Sequence, residues 1–235
     1  MALPLVLSVP HAGTSVPPEA EPYCVLTPAQ IEADGDEGAA EIYALADEVE
    51  VHVTTEVARA IVDLNRAPDD FRPDGIIKTH TCWQEPVYAA FPPPDVVRAL
   101  IDAYWRPYHR RLRQLGQSGR FLLGVDGHTM AATGPPTASD AGSTRPHACL
   151  SNDDRTCPTE WLVALQEALA PRLGGEVTVN TPFRGGYITR TCAEDMPWLQ
   201  IELSRAPYMT NQQKRQAVLA SLVELCRFIG KPEGE

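Results

Sequence analysis

The chain of 235 residues is 43% hydrophobic, which is enough apolar material for a buried core, and we expect a single domain over residues 1–235. Its formal net charge of −11 disfavours nucleic acid and anionic membrane surfaces as partners, although local arginines can still hold a small anionic substrate. No segment approaches the roughly 20 consecutive apolar residues that a membrane-spanning helix needs.

A buried strand is predicted at the start of the chain, where residues 5–9 form a short apolar run. Pro10 lacks a backbone donor and Gly13 can adopt unusual backbone angles, so the strand should end there. His11 is thereby placed at the carboxyl end of a strand, where open α/β sheets build their sites. On this stretch alone, His11 is either a metal ligand or acid–base group, or a hydrogen-bonding loop residue.

Two helical segments are predicted next. Thr27 precedes a proline and should cap a short helical turn, and the apolar spacing predicts a second helix over residues 36–48. Asp34, Asp36 and Glu37 lie at the start of that helix. Acids at this position are favoured by the helix dipole, and they are equally suited to complete a metal site behind a loop that carries a histidine.

An arginine-rich motif follows an alternating strand predicted over residues 49–55. Residues 59–66 read Arg-Ala-Ile-Val-Asp-Leu-Asn-Arg. Arginine is the preferred residue for bidentate recognition of a carboxylate, and Asp63 can hold a guanidinium in place. Arg66 is therefore predicted to bind a ligand, and Arg59 is the second candidate.

The middle of the chain predicts one irregular segment and one long helix. Residues 67–94 are rich in proline and acids and predict a surface excursion or lid. Residues 95–117 carry an apolar stripe at helical spacing and predict a helix that is kinked at Pro107.

A second strand that ends in a histidine is predicted over residues 121–129. Asp126 lies two residues before His128, so both side chains share one face of an extended chain and the carboxylate can orient the imidazole. Two histidines, each at the end of an apolar strand, indicate a shared site more strongly than either one alone.

The next stretch predicts a long loop over residues 131–158, a helix over residues 158–173 that ends at paired glycines, and a short strand over residues 177–179. Paired glycines then lie between Arg184 and Arg190. They indicate either backbone that approaches a ligand closely or a simple hairpin turn.

A buried strand over residues 198–203 carries one acid, Glu202. A carboxylate in an apolar strand is costly unless it is paired, bound to a metal or working beside a pocket, so Glu202 is predicted to be functional. Thr210 should cap the last helix, and residues 231–235 are predicted to be loose.

The six cysteines include no Cys-x-x-Cys pair, which favours a reduced, cytoplasmic protein. A disulfide between Cys149 and Cys157 is the less favoured alternative. The first nine residues have neither the basic start nor the cleavage site of a secretory signal.

Taken in order, these motifs resemble the N-formylglutamate amidohydrolase family over nearly the whole chain. The resemblance is carried by Pro10-His11-x-Gly13, Asp34-x-Asp36, Arg59-x3-Asp63-Leu64-Asn65-Arg66, Asp126-x-His128, Asn180-x-x-Phe183-Arg184-Gly185-Gly186-Tyr187-Ile188-Thr189-Arg190, and Gln200-x-Glu202 followed by Tyr208-Met209. The family is similar to zinc carboxypeptidases and aspartoacylases. This similarity implies an α/β fold of three layers (αβα), in which a mixed central sheet is flanked by helices, as in phosphorylase/hydrolase-like proteins.

The resemblance also implies a metal site with one Zn²⁺ per chain, or another divalent metal. Its ligands would be His11, His128 and one acid, for which Asp36 is favoured and Asp34 and Glu37 are the alternatives. Two histidines and one carboxylate, with a coordination position open for water, form a known catalytic zinc set.

Catalytic and substrate-binding roles follow from the same resemblance. Glu202 would be the general base, and Arg59 would polarise the scissile carbonyl. The residues implied in substrate binding are Arg66 and Asn65 as a carboxylate clamp, together with Arg184, Arg190 and Asn180.

The implied activity is zinc-dependent hydrolysis of an N-acyl amide of an acidic amino acid, with N-formyl-glutamate as the expected substrate. Within enzymes, the alternative is an aspartoacylase-like or carboxypeptidase-like activity on another N-acyl amino acid or peptide. From a different class, the alternative is a non-catalytic domain that binds an anionic metabolite through its arginines.

Overall fold

The computed structural model describes residues 2–230, which form a mixed sheet of six strands with helices on both faces. The strand order is β2-β1-β3-β6-β4-β5. The first four of these run parallel, β4 runs antiparallel to β6, and β5 is parallel to β4. The predicted fold class is confirmed. The strands are β1 (Leu3–Val9), β2 (Val49–Thr54), β3 (Leu123–Met130), β4 (Ala148–Ser151), β5 (Val177–Val179) and β6 (Trp198–Ser204).

Seven α-helices and one π-helical turn cover the sheet in the described part of the chain. They are α1 (Pro28–Asp34), α2 (Ala39–Ile42), α3 (Pro94–Leu100), the π-turn (Ile101–Trp105), α4 (Arg106–Gly116), α5 (Thr159–Leu173), α6 (Tyr187–Cys192) and α7 (Asn211–Ile229). As predicted, Thr27 and Thr210 cap α1 and α7, each through a capping box.

Two hydrophobic cores lie on opposite faces of the sheet. Leu5 and Leu7 of β1 face the core beneath α2, α5 and α7, whereas Val6 between them faces the core beneath α3, α4 and α6. Successive side chains of a strand point to opposite faces, so an apolar run such as that of β1 is what a sheet covered on both sides requires.

The helix predicted over residues 36–48 is much shorter than expected, because only α2 (Ala39–Ile42) is helical. Gly38 enters it with a left-handed backbone (φ = 80°), and the chain turns again at Tyr43. Leu45 is fully buried from that turn. The apolar residues of this stretch therefore recur at helical spacing in the sequence, although they reach the core from successive turns of the chain and not from one helix.

The long helix predicted over residues 95–117 is interrupted by the π-turn Ile101–Trp105 between α3 and α4. Pro107 has no N–H to donate to the preceding turn, and the wider π-turn accommodates that missing bond. The helix is thus irregular near the predicted kink, but the irregular turn lies just before Pro107.

Three irregular segments differ from expectation. Residues 67–94 are irregular, yet Ile76, Ile77 and Val87 are buried in the core, so the segment is more than a surface excursion. The predicted loop 131–158 contains β4, and the glycine pair of residues 180–190 leads into α6 instead of a hairpin. β4 and α6 were missed because each is shorter than the window over which periodicity is visible.

The six cysteines are free thiols, including Cys149 and Cys157. None of the helices within residues 2–230 combines the length and the apolar character needed to cross a membrane. The tail predicted to be loose, residues 231–235, lies outside the described residues.

Candidate metal centre and active-site cavity

A cavity of about 410 Å³ opens at the carboxyl ends of the parallel strands. His11 reaches it from the turn after β1, His128 from within β3 and Glu202 from within β6, while Asp36 comes from the loop between α1 and α2. In the sheet, His128 and Glu202 are paired neighbours. Sequence analysis placed His128 at the end of its strand, but β3 continues to Met130.

Three buried side chains converge at the base of this cavity. The Nδ1 atoms of His11 and His128 lie 3.5 and 2.8 Å from Oδ2 of Asp36, and one ligand atom from each residue falls within 4.8 Å of the others. Nδ1 of His11 is buried and has no hydrogen-bond partner within residues 2–230. An unpartnered imidazole nitrogen beside a carboxylate fits a divalent cation, which would supply the missing contact.

Both histidines are held from behind by a carboxylate. Nε2 of His11 lies 2.8 Å from Oδ1 of Asp63, and Nε2 of His128 lies 2.9 Å from Oδ2 of Asp126. When each Nε2–H donates to its carboxylate, each Nδ1 is left as a lone-pair donor facing Asp36. Histidines that bind metals commonly have such a carboxylate on the far ring nitrogen, which fixes the tautomer and the ring orientation.

The charges in the cluster favour a positive centre. Burial works to raise the pKa of Asp36, but the adjacent His11 and His128 outweigh it and hold that pKa well below its usual range. Burial works to lower the pKa of His128, but Asp126 and Asp36 outweigh it and raise that pKa well above its usual value. The Asp36 carboxylate therefore stays ionised and stabilises positive charge at this point, which a bound cation would also provide.

Only one of the three candidate acids points into the cluster. Asp34 is fully buried, and its Oδ2 accepts a hydrogen bond from Nζ of Lys78 at 2.8 Å. Glu37 is exposed, and its backbone carbonyl accepts from the hydroxyl of Thr129, while its carboxylate has no partner among the described residues. Asp36 also accepts the backbone N–H of Thr129 at 3.2 Å, which orients its carboxylate.

Gly13 is needed here for space and not for an unusual backbone angle. It is absent from the positive-φ residues of the described chain, but a Cβ at this position would lie 2.3 Å from the backbone carbon of Glu56. The loop that carries His11 can therefore press against the chain that follows β2, as only glycine allows.

Glu202 lies in the same cavity as the His/Asp cluster and is only 9% exposed. Nε2 of Gln200 donates to Oε1 of Glu202 at 3.0 Å. Burial raises the pKa of Glu202 to about 7, with the nearby negative charge of Asp36 acting in the same direction and the charge of His128 opposing it. A carboxylate with this pKa beside a candidate metal site is suited to accept and return a proton.

Two of the predicted arginines lie at the cavity and approach the same carboxylate. Nε of Arg59 donates to Oδ2 of Asp63 at 3.2 Å, and Nε of Arg66 lies 3.9 Å from the same oxygen. Nη1 of Arg59 also lies 3.6 Å from Oδ1 of Asp36. Arg66 donates to the carbonyl of Asp74 at 3.0 Å, a partner from the segment predicted to be a lid.

Asn65 lines the cavity, but protein groups already engage its carboxamide. Its Nδ2 donates to Oδ2 of Asp126 at 3.2 Å, and its Oδ1 accepts from the backbone N–H of Ile188 at 2.9 Å. A Cβ on Gly186 would lie 2.2 Å from Nδ2 of Asn65. The glycine pair thus allows backbone to pack against Asn65, which in turn braces the carboxylate behind His128.

The remaining predicted substrate residues are divided by the structure. Arg184 lines the cavity and pairs with Asp154. Asn180 and Arg190 are not among the residues that line it. Nδ2 of Asn180 donates to Oδ1 of Asn152 at 3.0 Å, and Nη1 of Arg190 donates to the carbonyl of Gly185 at 2.8 Å. Both side chains are thus used to shape the loop, and their contact with substrate stays a prediction.

Sequence reasoning missed several polar residues that line the cavity. They are Lys78, Arg145, Gln200 and Arg205. Lys78 and Arg145 lie in segments that carry no regular pattern, so nothing marked them. Arg205 was detectable in principle, because it comes three residues after Glu202 at the end of a buried strand.

Lys78 contributes to stability by compensating the buried charge of Asp34, so loss of Lys78 alone should destabilise the fold strongly. Burial tends to raise the pKa of Asp34, yet Lys78 and Arg59 keep it lowered, so the contribution is present near neutral pH and is lost as the pH falls through that lowered pKa. Lys78→Met leaves Asp34 buried and unpaired and should lower the free energy of unfolding by about 3–5 kcal/mol in denaturant titrations.

The matched control for that substitution is the double variant Asp34→Asn/Lys78→Met. Asparagine removes the uncompensated charge and keeps an acceptor for the backbone N–H of Cys82, which donates to Asp34 at 2.7 Å. Most of the lost stability should return. An equal loss in the single and double variants would show that Lys78 matters for packing and not for charge.

Comparison with known proteins gives a consistent result. A family model described as N-formylglutamate amidohydrolase matches residues 3–209. The N-formylglutamate deformylase of Pseudomonas putida is 27% identical over 223 residues, covering 88% of this chain and 82% of the relative. That of Pseudomonas aeruginosa is 25% identical over 245 aligned positions, covering 97% of this chain and 90% of the relative. The crystal structure of N-formylglutamate amidohydrolase from Ralstonia eutropha JMP134 has a TM-score of 0.81 at 21% identity, covering 97% of this chain and 94% of that chain, and so shares the fold.

Proposed function

The chain belongs to the N-formylglutamate amidohydrolase family and is thereby an amide hydrolase, and from this premise we propose that it cleaves the N-formyl amide of an acidic amino acid. N-formyl-glutamate is the substrate that we propose, with formate and glutamate as products. The observation that carries the proposal is the presence of Glu202 and the cluster of His11, Asp36 and His128 in one cavity.

We propose that His11, Asp36 and His128 hold one Zn²⁺ per chain. The orphaned Nδ1 of His11 and the carboxylates behind both imidazoles support this assignment, as does the match to a known catalytic ligand set of two histidines and one acid. When bound, the ion would polarise the substrate carbonyl and lower the pKa of a water molecule beside it.

Glu202 acts as the general base and then as the general acid in this proposal. Its carboxylate removes a proton from the attacking water and delivers it to the amide nitrogen as the C–N bond breaks. The water oxygen ends in formate, and the amino group leaves as the amine of the amino acid. Gln200 keeps the Glu202 carboxylate aimed into the cavity through its 3.0 Å hydrogen bond.

The two arginines that approach Asp63 have different roles in the proposal. Within the described chain, Arg59 contacts Asp63, Asp34 and Asp36 through Nε and Nη1, so Nη2 can donate to the oxygen on which charge develops. Arg66 carries a half-exposed guanidinium and is assigned to the α-carboxylate next to the scissile nitrogen, where bidentate geometry gives orientation as well as charge.

Two coarser properties complete the proposal. We propose a single domain over residues 1–235, because both hydrophobic cores lie against the same sheet. A cytoplasmic location is consistent with the free state of all six cysteines in the described chain.

The direct test is release of formate from N-formyl-L-glutamate by zinc-loaded protein, measured beside N-acetyl-L-glutamate, N-acetyl-L-aspartate and a dipeptide ending in glutamate. We expect formate release to exceed acetate or amino-acid release from the other substrates by orders of magnitude. Removing zinc with a chelator should abolish it, and adding zinc back should restore it. Preferential release of acetate or of the dipeptide's C-terminal residue would instead establish an aspartoacylase-like or carboxypeptidase-like activity.

A further inference from the structure

Arg205 differs from every other arginine and lysine that lines the cavity. Within the described residues, each of the others has a carboxylate oxygen within 4.0 Å, whereas Arg205 has none. The paired cations are Arg59, Arg66, Lys78, Arg145 and Arg184. A cation that faces an active-site cavity without an internal counter-charge is available to a bound anion.

Hydrogen bonds hold Arg205 in place, although no carboxylate of the described residues balances the charge of its guanidinium. It follows β6 directly, and its backbone N–H donates to the carbonyl of Met130 at the end of β3, at 2.9 Å. Among the described residues its guanidinium makes one hydrogen bond, from Nη1 to the carbonyl of Ala33 at 3.3 Å. Its Nε is buried and has no partner within residues 2–230. A buried donor of a charged group without an acceptor is unfavourable, and a carboxylate presented to that edge of the guanidinium would satisfy it.

Within the described residues, Arg205 has no hydrogen bond or ion pair with the proposed metal ligands or with the carboxylates that hold them. Arg59 and Arg66 both approach Asp63, which holds His11. Arg205 instead reaches Ala33, the neighbour of Asp34, whose carbonyl accepts from Arg59 at 3.4 Å. Arg205 and Arg59 thus donate to the carbonyls of adjacent residues, but Arg59 also contacts Asp63 and Asp36, whereas Arg205 contacts neither.

An acidic N-formyl amino acid carries two carboxylates at different distances from the scissile bond. The α-carboxylate is attached to the carbon that bears the amide nitrogen, whereas the side-chain carboxylate is several bonds away. We infer that Arg205 binds the side-chain carboxylate and so selects acidic over neutral amino acids. This inference rests on the proposed function and names the residue that sets its substrate class.

The test compares wild type and Arg205→Gln on N-formyl-L-glutamate and N-formyl-L-glutamine, which have almost the same size and differ in side-chain charge. Loss of a charge-assisted contact in a desolvated pocket should lower kcat/KM for N-formyl-glutamate about 100-fold or more. The value for N-formyl-glutamine should stay within about threefold, so the preference for glutamate should collapse. Arg205→Lys keeps the charge and should recover part of the preference.

Arg215→Gln is the matched control, because Arg215 also donates to a backbone carbonyl, that of Ala44, but does not line the cavity. It makes the same change in net charge and should leave both kcat/KM values unchanged. An equal fall on both substrates in Arg205→Gln, with unchanged thermal unfolding, would place Arg205 on the α-carboxylate and overturn the inference. No change on either substrate would overturn it as well.

Calorimetric titration of the zinc-loaded proteins with L-glutamate and L-glutamine gives a readout that needs no turnover. Wild type should bind glutamate more tightly than glutamine, and Arg205→Gln should lose at least tenfold on glutamate alone. If no N-formyl amino acid is hydrolysed, the proposed function fails, and this titration still decides the role of Arg205. Equal glutamate binding by the two proteins would refute the inference even if formate is released.

Discussion

His128→Ala is expected to abolish both metal binding and formate release. The substitution removes one of the three proposed ligands. It also leaves Asp36 and Asp126 without the imidazole whose two nitrogens lie 2.8 and 2.9 Å from their carboxylates in the wild-type protein. Zinc content should fall from about one ion per chain to near zero by elemental analysis, and activity should fall by at least about a thousandfold, because the metal's contribution to the barrier is lost.

Asp126→Asn is the graded comparison for that prediction. All three proposed ligands remain, but the carboxylate that holds Nε2 of His128 becomes a neutral amide. Loss of such an outer partner typically weakens metal affinity about 10- to 100-fold, so zinc should be retained at high concentration and lost on dilution or mild chelation. Zinc bound with wild-type affinity to His128→Ala would mean that the metal site lies elsewhere.

The fold could be predicted from sequence wherever one element carries its own pattern. β1 and β6 are apolar runs of strand length, and α7 has both a capping threonine and a long periodic stripe. β4 could not be predicted in this way, because its four residues gain their structure from pairing with β6. That pairing joins positions roughly fifty residues apart in the sequence. Pairing between distant segments is set by the tertiary fold and leaves little local signal.

The candidate site shows the same division between local and distant information. The strand context marked His11, His128 and Glu202, and the family pattern joined them. The choice between Asp34 and Asp36 could not be made locally, since they are two residues apart in one acidic stretch of the sequence. It depends on Lys78, which pairs with Asp34 across 44 positions and leaves Asp36 for the histidines.

The arginines also show that local sequence does not reveal which side chains line the cavity. Arg66 and Arg190 are equally prominent in the sequence, but Arg66 lines the cavity, whereas Arg190 stabilises a turn by donating to the carbonyl of Gly185. Conversely, the distinguishing property of Arg205 is the lack of a carboxylate partner in the described chain, which no single-sequence pattern can display. Charge matching among cavity residues is a property of the folded structure, and within the described residues it sets Arg205 apart from the arginines that already have a carboxylate partner.

Glu202→Gln should leave the metal site loaded and remove catalysis. Glutamine has nearly the same shape and can still interact with Gln200, but it cannot accept a proton, so kcat should fall about 10²- to 10⁴-fold. Zinc content and thermal unfolding should match wild type, which separates this variant from His128→Ala. Residual activity near the wild-type level would exclude Glu202 as the general base.

The pH profile provides an independent check on the same carboxylate. Burial raises the pKa of Glu202 to about 7, and the base works only when deprotonated, so kcat/KM should rise with pH and level off above that pKa. A bound cation would lower the pKa, which places the midpoint of the acidic limb at or below about pH 7. In Glu202→Gln this limb should disappear from the residual rate at constant zinc occupancy. If the limb persists unchanged in that variant, another group carries the titration and the proposed role of Glu202 is wrong.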